Sequence, residues 1–386
     1  MKKFLRLSLT SYGLFSSIKN VRVLSTKIVN PSSVDCQDKK LEKFKSYFSR
    51  LSQHLAKDPD TPDLHIFLSE HFSSLANYTI PGGKMNRGLS VPQTYQLLVH
   101  QPDPADMELA NVLGWSVEIL QAFYLVADDI MDGSITRRGK PCWHRQSGIG
   151  LSAFNDSIIL ESLVYSIVKK YFRSKPYYLN LLENLLEVSK FTSYGQSLDT
   201  LSAQNFSLVR GRDDSLENFD MARYTAIVKY KTSYYSFYLP VTLAMTMAGF
   251  TDPLLYDKAK NILLEIGHYF QATDDFLDCF GDPEIIGKIG TDIQDGKCSW
   301  LIVKALEEAS AEEKKELACH YGSQDELDVE IVKNIYRKLG LSEIFREYES
   351  NFYNEILEKI DRACNENQVP KEVFYSFLAK VYGRKL

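Results

Sequence analysis

Glycine and proline are both scarce, at 20 and 13 of 386 residues, or about 5% and 3% against average usage of roughly 7% and 5%. That scarcity excludes a collagen-like or linker-rich chain. With 44% hydrophobic and 25% charged residues, a disordered chain is excluded too. Cysteine is sparse: Cys36, Cys142, Cys279, Cys298, Cys319 and Cys364 are scattered, with no CxxC pair among them. No disulfide framework or zinc cluster is expected from such spacing, and a reducing compartment is the natural setting. There is no excess of positive charge, since 45 basic residues face 50 acidic ones for a net of −5. That balance argues against a nucleic-acid-binding role. No run of eighteen apolar residues occurs, so no helix is expected to span a membrane.

Acid is missing from the amino terminus. Residues 1–34 carry Lys2, Lys3, Arg6, Lys19, Arg22 and Lys27 but no aspartate or glutamate before Asp35. Serines are frequent, and Phe4, Leu5, Leu9, Leu14 and Ile18 are spaced for an amphipathic helix. This composition predicts a mitochondrial presequence over 1–34 and a matrix location, with the cytoplasm and a basic tail as the alternative. A secretory signal would need a compact apolar core, which Ser8, Thr10, Ser11 and Gly13 interrupt. Without this segment, 39 basic residues face 50 acidic ones, a net of −11. Any anion bound by the remaining domain, 35–386, must meet locally concentrated cations.

From about Lys40 onward helical periodicity dominates and strand alternation is absent. Long helices are expected over 106–135, 152–172, 177–200, 218–250, 253–280 and 341–365. Turn signals separate them at Pro81-Gly82-Gly83, Arg138-Gly139-Lys140-Pro141, Gly211-Arg212-Asp213-Asp214 and Gly281-Asp282-Pro283. No repeat or flexible linker divides the chain. The expected fold class is all-α, one large helical bundle.

Two acidic segments interrupt apolar helices: Asp128-Asp129-Ile130-Met131-Asp132 and Asp274-Asp275-Phe276-Leu277-Asp278. The first and last aspartates of each are four apart, so on a helix both carboxylates share one face. Like charges there repel, and burying them requires something positive between them. A hard divalent cation with oxygen ligands meets that need. Cations follow nearby. Lys84 and Arg87 lie three apart after the Pro-Gly-Gly turn, Arg137-Arg138 follows the first acidic segment, and Lys288 and Lys297 follow the second. A loop feeding a helix amino terminus is an anion site, which paired cations strengthen. Together these groups describe a cavity for two polyanionic ligands.

The acidic segments, Gly82-Gly83-Lys84-Met85-Asn86-Arg87-Gly88 and the run Gly287 to Asp295 resemble the trans-prenyltransferases of the farnesyl diphosphate synthase type. Glu118 to Phe123, Thr136 to Gly139, Ile227 to Thr232 and Phe237 to Pro240 match that family as well, so the similarity runs from about Tyr47 to Tyr382. The resemblance implies an isoprenoid-synthase bundle with a central cavity and a prenyltransferase activity. Isopentenyl diphosphate would be condensed with dimethylallyl and then geranyl diphosphate, giving farnesyl diphosphate. It further implies that Asp128, Asp132 and Asp274 hold about three Mg²⁺, with Mn²⁺ or Co²⁺ as substitutes. Arg137, Lys231, Lys288 and Lys297 would add charge around the allylic diphosphate. Lys84, Arg87, Gln121, Arg138 and, at the carboxyl terminus, Arg384 would hold isopentenyl diphosphate. Lys231, Thr232 and Gln271 would line the pocket of the allylic cation. Phe123 and Tyr124, the latter one turn and about 6 Å before Asp128, would form a floor that limits product length. A homodimer is expected.

Departures from the family pattern are Ala272-Thr273 before the second acidic segment, Gly296 in place of asparagine, and Ser193 in place of an acid. Two other readings remain open. One is a geranyl diphosphate synthase or terpene synthase on the same scaffold; a cyclase would have lost the second anion site, which is present here. The other is a regulatory subunit of a prenyltransferase complex, which loss of either acidic segment would have favoured. No HExxH, P-loop or dinucleotide fingerprint occurs, and His144 and His268 are read as ordinary polar residues.

Overall fold

The computed structural model describes residues 31–56, 62–282, 290–364 and 369–382. Two expected site residues, Lys288 and Arg384, lie outside them, as does most of the expected presequence. The chain forms two compact units, one ending at Tyr47 and the other beginning at Phe48. In the first, helix α1 (Pro31–Ser46) is described, with Lys45 paired to Glu42 at 3.0 Å. The second unit carries every described candidate residue.

That unit is built of α2 (Phe48–Ala56), α3 (Pro62–Thr79), α4 (Asn86–Leu98), α5 (Pro104–Met131), α6 (Ala153–Phe172), α7 (Tyr178–Val209) and α8 (Met221–Ile227). Helix α8 runs into eleven π-helical residues, Val228–Tyr238, and these continue as α9 (Leu239–Met247). Helices α10 (Pro253–Phe280), α11 (Trp300–Glu308), α12 (Ala311–His320), α13 (Glu326–Lys338), α14 (Leu341–Ala363) and α15 (Lys371–Val381) complete it. Among the described residues the all-α expectation holds with one exception, a two-residue antiparallel ladder of β1 (Thr136–Arg137) and β2 (Lys140–Pro141). Its turn residues, Arg138 and Gly139, have φ of 53° and 73°, the signature of a tight hairpin turn.

The helices that bear the acidic segments, α5 and α10, begin alike. Asp103 accepts a hydrogen bond from the Ala105 N–H at 2.7 Å ahead of Pro104. Asp252 accepts one from the Leu254 N–H at 3.0 Å ahead of Pro253. An aspartate cap followed by proline fixes a helix start, because proline has no N–H to leave unsatisfied. Both helices then run 28 residues. Helix α5 lies against α4 and α6, and the π-helical segment lies between α7 and α10. Glycines permit those approaches. A Cβ on Gly195 of α7 would stand 2.1 Å from the Lys231 nitrogen, and one on Gly267 of α10 would stand 2.4 Å from the Ser233 hydroxyl.

By length and composition, Pro104–Met131 and Gly150–Phe172 are apolar enough to cross a membrane. The lack of an unbroken apolar run therefore understates their apolarity. In α5 much of that apolarity is core: Val112, Leu113, Trp115 and Val117 are fully buried, each such burial contributing roughly 1.5–3 kcal/mol. Two further clusters fill the rest. One surrounds Trp300, Phe345 and Tyr321, and the other surrounds Ile262, Ile266 and Phe374.

Candidate active site

The carboxyl-terminal turn of α5 presents Asp128, Asp129 and Asp132 at the negative end of the helix dipole, where carboxylates are disfavoured unless cations meet them. They do. Arg137, carried back by the β1–β2 hairpin, donates to Asp129 Oδ1 from Nε at 2.9 Å and reaches Asp128 Oδ2 at 3.5 Å. Lys231 lies 3.3 Å from Asp128 Oδ1 and 2.6 Å from Asp199 Oδ2. Lys297 lies 3.0 Å from Asp132 Oδ1 and 3.2 Å from the same Asp199 oxygen. Gln196, one turn before Asp199 on α7, donates to Asp128 Oδ1 at 2.9 Å.

Burial alone would raise the Asp128 pKa, yet Lys231, Arg137 and Lys297 hold it below the ordinary carboxylate range. Asp199 is likewise buried and likewise held low, by Lys231 and Lys297. Asp132 moves the other way, raised by burial and by the charge on Asp128 against the pull of Lys297. Burial disfavours the two ammonium groups, but the aspartates outweigh it and keep both lysines firmly protonated. The cluster holds four carboxylates (Asp128, Asp129, Asp132, Asp199) and three cations (Lys231, Lys297, Arg137), so one negative charge is in excess.

Asp274 is half-buried on α10. Among the described residues, no three His, Cys, Asp or Glu side chains converge as a metal-holding group, so Asp128, Asp132 and Asp274 are not drawn together in that way. Next to it, Asp275 is buried and accepts from Gln271 Nε2 at 2.9 Å and from the Trp300 N–H at 2.8 Å. Burial pushes its carboxyl up to about 7 against those two hydrogen bonds. Gln271 in turn accepts from the Thr232 hydroxyl at 3.0 Å. Thr232 and Lys231 both sit in the π-helical segment, a conformation often found at functional sites. Ala272 and Thr273, the unusual pair, are buried, Ala272 within the Trp300 cluster and Thr273 bonded to the Tyr269 carbonyl. Gly296 has φ +62°, and a Cβ there would approach the Phe206 ring to 2.8 Å.

The second group of cations lies along α4 and the hairpin. Arg87 donates from Nε to the Ser236 hydroxyl at 2.8 Å, with its guanidinium 5.0 Å from the centre of the Tyr235 ring. Arg138 lies along the Gly82-Gly83 backbone, its Nη1 3.0 Å from where a Gly82 Cβ would stand. A non-glycine residue with positive φ is uncommon, and here it delivers the Arg138 side chain to that turn. Glu118 is buried on α5 and accepts the Gly88 N–H at 2.7 Å. Burial raises its pKa even though that bond, Arg87 and Arg138 all favour the charged form. Gln121, one turn further on, is buried, while Lys84 is exposed on the turn.

Phe123 and Tyr124 are half-buried with ring centres 4.6 Å apart. Tyr124 stands 5.6 Å from Tyr235 and donates to the Ser189 hydroxyl on α7 at 2.9 Å. The aromatic pair is therefore anchored between three elements.

Four residues of this constellation are not signalled by the sequence. Gln196 and Asp199 are single polar residues on a long helix, and Asp275 stands within the second acidic segment without a role of its own. Lys380 on α15 reaches Ser90 and Gln93 of α4 at 3.0 and 2.8 Å and lines a small cavity with Arg87, Ser236 and Phe270. Its position next to Arg87 marks a basic residue before the carboxyl terminus, where the sequence points only to Arg384.

Three comparisons bear on these groups. Residues 69–339 match the polyprenyl synthetase family model. The farnesyl diphosphate synthase of Dictyostelium discoideum is 47% identical over 355 residues, covering 90% of each chain. The farnesyl pyrophosphate synthase of Gallus gallus is 43% identical over 354 residues, covering 90% of this chain and 93% of its own. Among solved structures, a T. brucei farnesyl diphosphate synthase complexed with a bisphosphonate superposes with a TM-score of 0.83 at 32% identity, covering 89% of this chain and 99% of the other.

Proposed function

Since the chain belongs to the polyprenyl synthetase family, we propose a site-by-site account of its chemistry. The protein is a short-chain prenyltransferase that makes farnesyl diphosphate. The observation that carries the assignment of residues is the ion cluster at the tip of α5, where Lys231 and Lys297 bridge Asp128, Asp132 and Asp199.

The family uses a divalent metal, and the donor set here fits one: carboxylate oxygens only, with an excess negative charge. Such an ion takes one or two carboxylates from a protein and completes its shell from phosphate and water, so three converging side chains are not required. Asp128, Asp132 and Asp274 would hold it, as about three Mg²⁺ or a substitute such as Mn²⁺ or Co²⁺. Bound there, it neutralises diphosphate charge and so eases departure of the leaving group.

The chain's own groups do the remainder. Lys231, Lys297 and Arg137, joined by Lys288, turn their N–H groups from the aspartates to the oxygens of the allylic diphosphate. Lys84, Arg87, Arg138 and Gln121, with Arg384, hold isopentenyl diphosphate so that its double bond faces the allylic carbon. The carbon–oxygen bond of dimethylallyl or geranyl diphosphate breaks, and both electrons leave with diphosphate. The double bond of isopentenyl diphosphate supplies the pair for the new carbon–carbon bond, and its neighbouring carbon loses a proton to the departed diphosphate. Thr232 and Gln271 set fixed dipoles around the transient cation. Phe123 and Tyr124 close the pocket below, favouring a C15 product.

Exposed apolar residues support a homodimer. Leu186, Tyr194 and Leu201 recur at seven- and eight-residue steps on α7 and are more than half exposed, which puts them on one face. Leu151, Phe154 and Ile158, on and just before the adjoining α6, are exposed as well. A second copy of the chain would cover this face. Monomers in light scattering would count against it. The basic, acid-free residues 1–34 favour delivery to mitochondria, and a reporter joined to residues 1–40 that stays cytosolic would rule that out. For the chemistry itself, protein lacking residues 1–34 is given Mg²⁺ with dimethylallyl and isopentenyl diphosphates, and products are weighed. C15 is expected; C10 would place the floor higher, and a cyclic hydrocarbon would turn the reading to a terpene synthase.

A further inference from the structure

Asp275 is buried, and both of its oxygens accept an N–H: Gln271 Nε2 reaches Oδ1 at 2.9 Å, and the backbone of Trp300 reaches Oδ2 at 2.8 Å. Trp300 is the first residue of α11, so its N–H has no acceptor within that helix. This arrangement leaves the Gln271 carboxamide only one polarity. With its NH₂ committed to Asp275, its Oε1 faces the Thr232 hydroxyl at 3.0 Å and must accept. A hydroxyl has one proton and two lone pairs. The proton of Thr232 is thereby directed at Gln271, and lone pairs are all that this hydroxyl can offer to anything else.

We propose that Asp275 is a positioning residue that works through Gln271 to fix the direction of the Thr232 hydroxyl, so that oxygen lone pairs rather than a proton face the allylic cation. The inference rests on the prenyltransferase reading of the site. A dipole fixed before the charge develops stabilises it without reorganising, and the same dipole reversed opposes it. The chain of contacts crosses three elements, from the start of α11 through α10 to the π-helical segment. No metal ligand is part of it.

Exchanging the two end groups tests the proposal. In Asp275→Asn the new amide keeps its oxygen on the Trp300 N–H and turns its NH₂ toward Gln271. Gln271 must then flip, donate to Thr232 and push the hydroxyl proton toward the pocket. In the double variant Asp275→Asn/Gln271→Glu, the carboxylate introduced on α10 accepts from both the new amide and the Thr232 hydroxyl. The original direction returns, and the net charge is that of the wild type. Turnover is measured at pH 8 with Mg²⁺, dimethylallyl and isopentenyl diphosphates. The single variant should lose about tenfold or more in kcat, with KM for both substrates within about twofold. The exchange should recover to within about threefold of wild type. In a Thr232→Val background, Asp275→Asn should cost nothing further, because the hydroxyl it directs is gone.

An Asp275→Asn enzyme with wild-type kcat overturns the proposal. So does a folded exchange variant no faster than the single one, or an equal loss in the Thr232→Val background. If circular dichroism shows the exchange variant unfolded, the Thr232→Val comparison decides alone. A wild type that forms no prenyl product in the same assay removes the functional reading itself, and this inference with it.

Discussion

Replacing Asp199 by asparagine keeps the shape of the side chain and removes one charge from the centre of the ion cluster. Asp199 Oδ2 receives Lys231 at 2.6 Å and Lys297 at 3.2 Å. Charge-assisted hydrogen bonds of this kind contribute about 1.5–3 kcal/mol each, and asparagine retains part of both. A loss of about 3 kcal/mol is expected, which in a chain of this length lowers Tm by roughly 4 °C. The effect on metal can be worked from the same distances. Lys231 bridges Asp128 and Asp199 at 3.3 and 2.6 Å, so the two carboxylates lie no more than about 6 Å apart by addition of those distances. A divalent ion at Asp128 would feel that unit charge by about 1.4 kcal/mol even with the dielectric screening of bulk water, and by more inside the protein. The variant also removes the excess negative charge and leaves both lysines leaning on Asp128 and Asp132. The Mg²⁺ concentration for half-maximal turnover should therefore rise at least about tenfold. A magnesium titration of turnover, with calorimetric melting of the metal-free protein, measures both effects. Unchanged Tm together with unchanged magnesium dependence would refute the reasoning.

Asp128→Ala and Asp274→Ala should each abolish most turnover at saturating Mg²⁺ while the helical circular dichroism stays intact; near-normal activity in either variant would remove that residue from the site. Replacing Phe123 and Tyr124 together by alanine should yield products longer than C15 by mass, at a core-truncation cost of roughly 3–5 kcal/mol per ring partly offset by the incoming chain. An unchanged C15 pattern in a folded, active variant would reduce both rings to packing. Burial lowers the His268 pKa from 6.5 to about 4, so its neutral form is the one the fold accommodates. Its contribution is complete above about pH 6.5 and is lost as pH falls toward 4, by about 3 kcal/mol in all. Urea midpoints measured from pH 7 to pH 4 should fall less steeply in His268→Gln than in the wild type, and equal slopes would refute the assignment.

The acidic ends of α5 and α10 are legible in the sequence because charge stands out against apolar helices, and the cations of the Gly82-Gly83 turn because they follow a turn signal. Asp199 is not. It is one acid on a long helix, and its partners Lys231 and Lys297 lie 32 and 98 residues away. Lys380 escapes for the same reason, since it meets Ser90 across 290 residues. The π-helical segment merges into one expected helix over 218–250, because eleven residues are too few to separate its period from 3.6. Helix α7 ends nine residues beyond the expected 200, at Val209. The β1–β2 hairpin reads as a loop, because its turn needs positive φ at Arg138, a residue that disfavours it. The sequence places Gln271 in the cation pocket, but the acceptor that orients its amide becomes visible only once α10 and α11 are together.

The matching Asp-Pro starts of α5 and α10 bear on how the gene can change. Each catalytic end is counted off from a fixed beginning, with no loop between cap and carboxylate to absorb a slip. Adding or deleting one codon between Pro104 and Asp128, or between Pro253 and Asp274, would turn the helix tip by about 100° and shift it by about 1.5 Å. The caps would hold and the aspartates would face elsewhere. Away from the residues of the site, point changes along these helices meet only packing constraints, whereas insertions and deletions meet a reading-frame-like constraint in three dimensions. Length variation among descendants of this gene should therefore collect between the helices, in the turns near Gly211 and Gly281, and avoid the two 28-residue spans altogether.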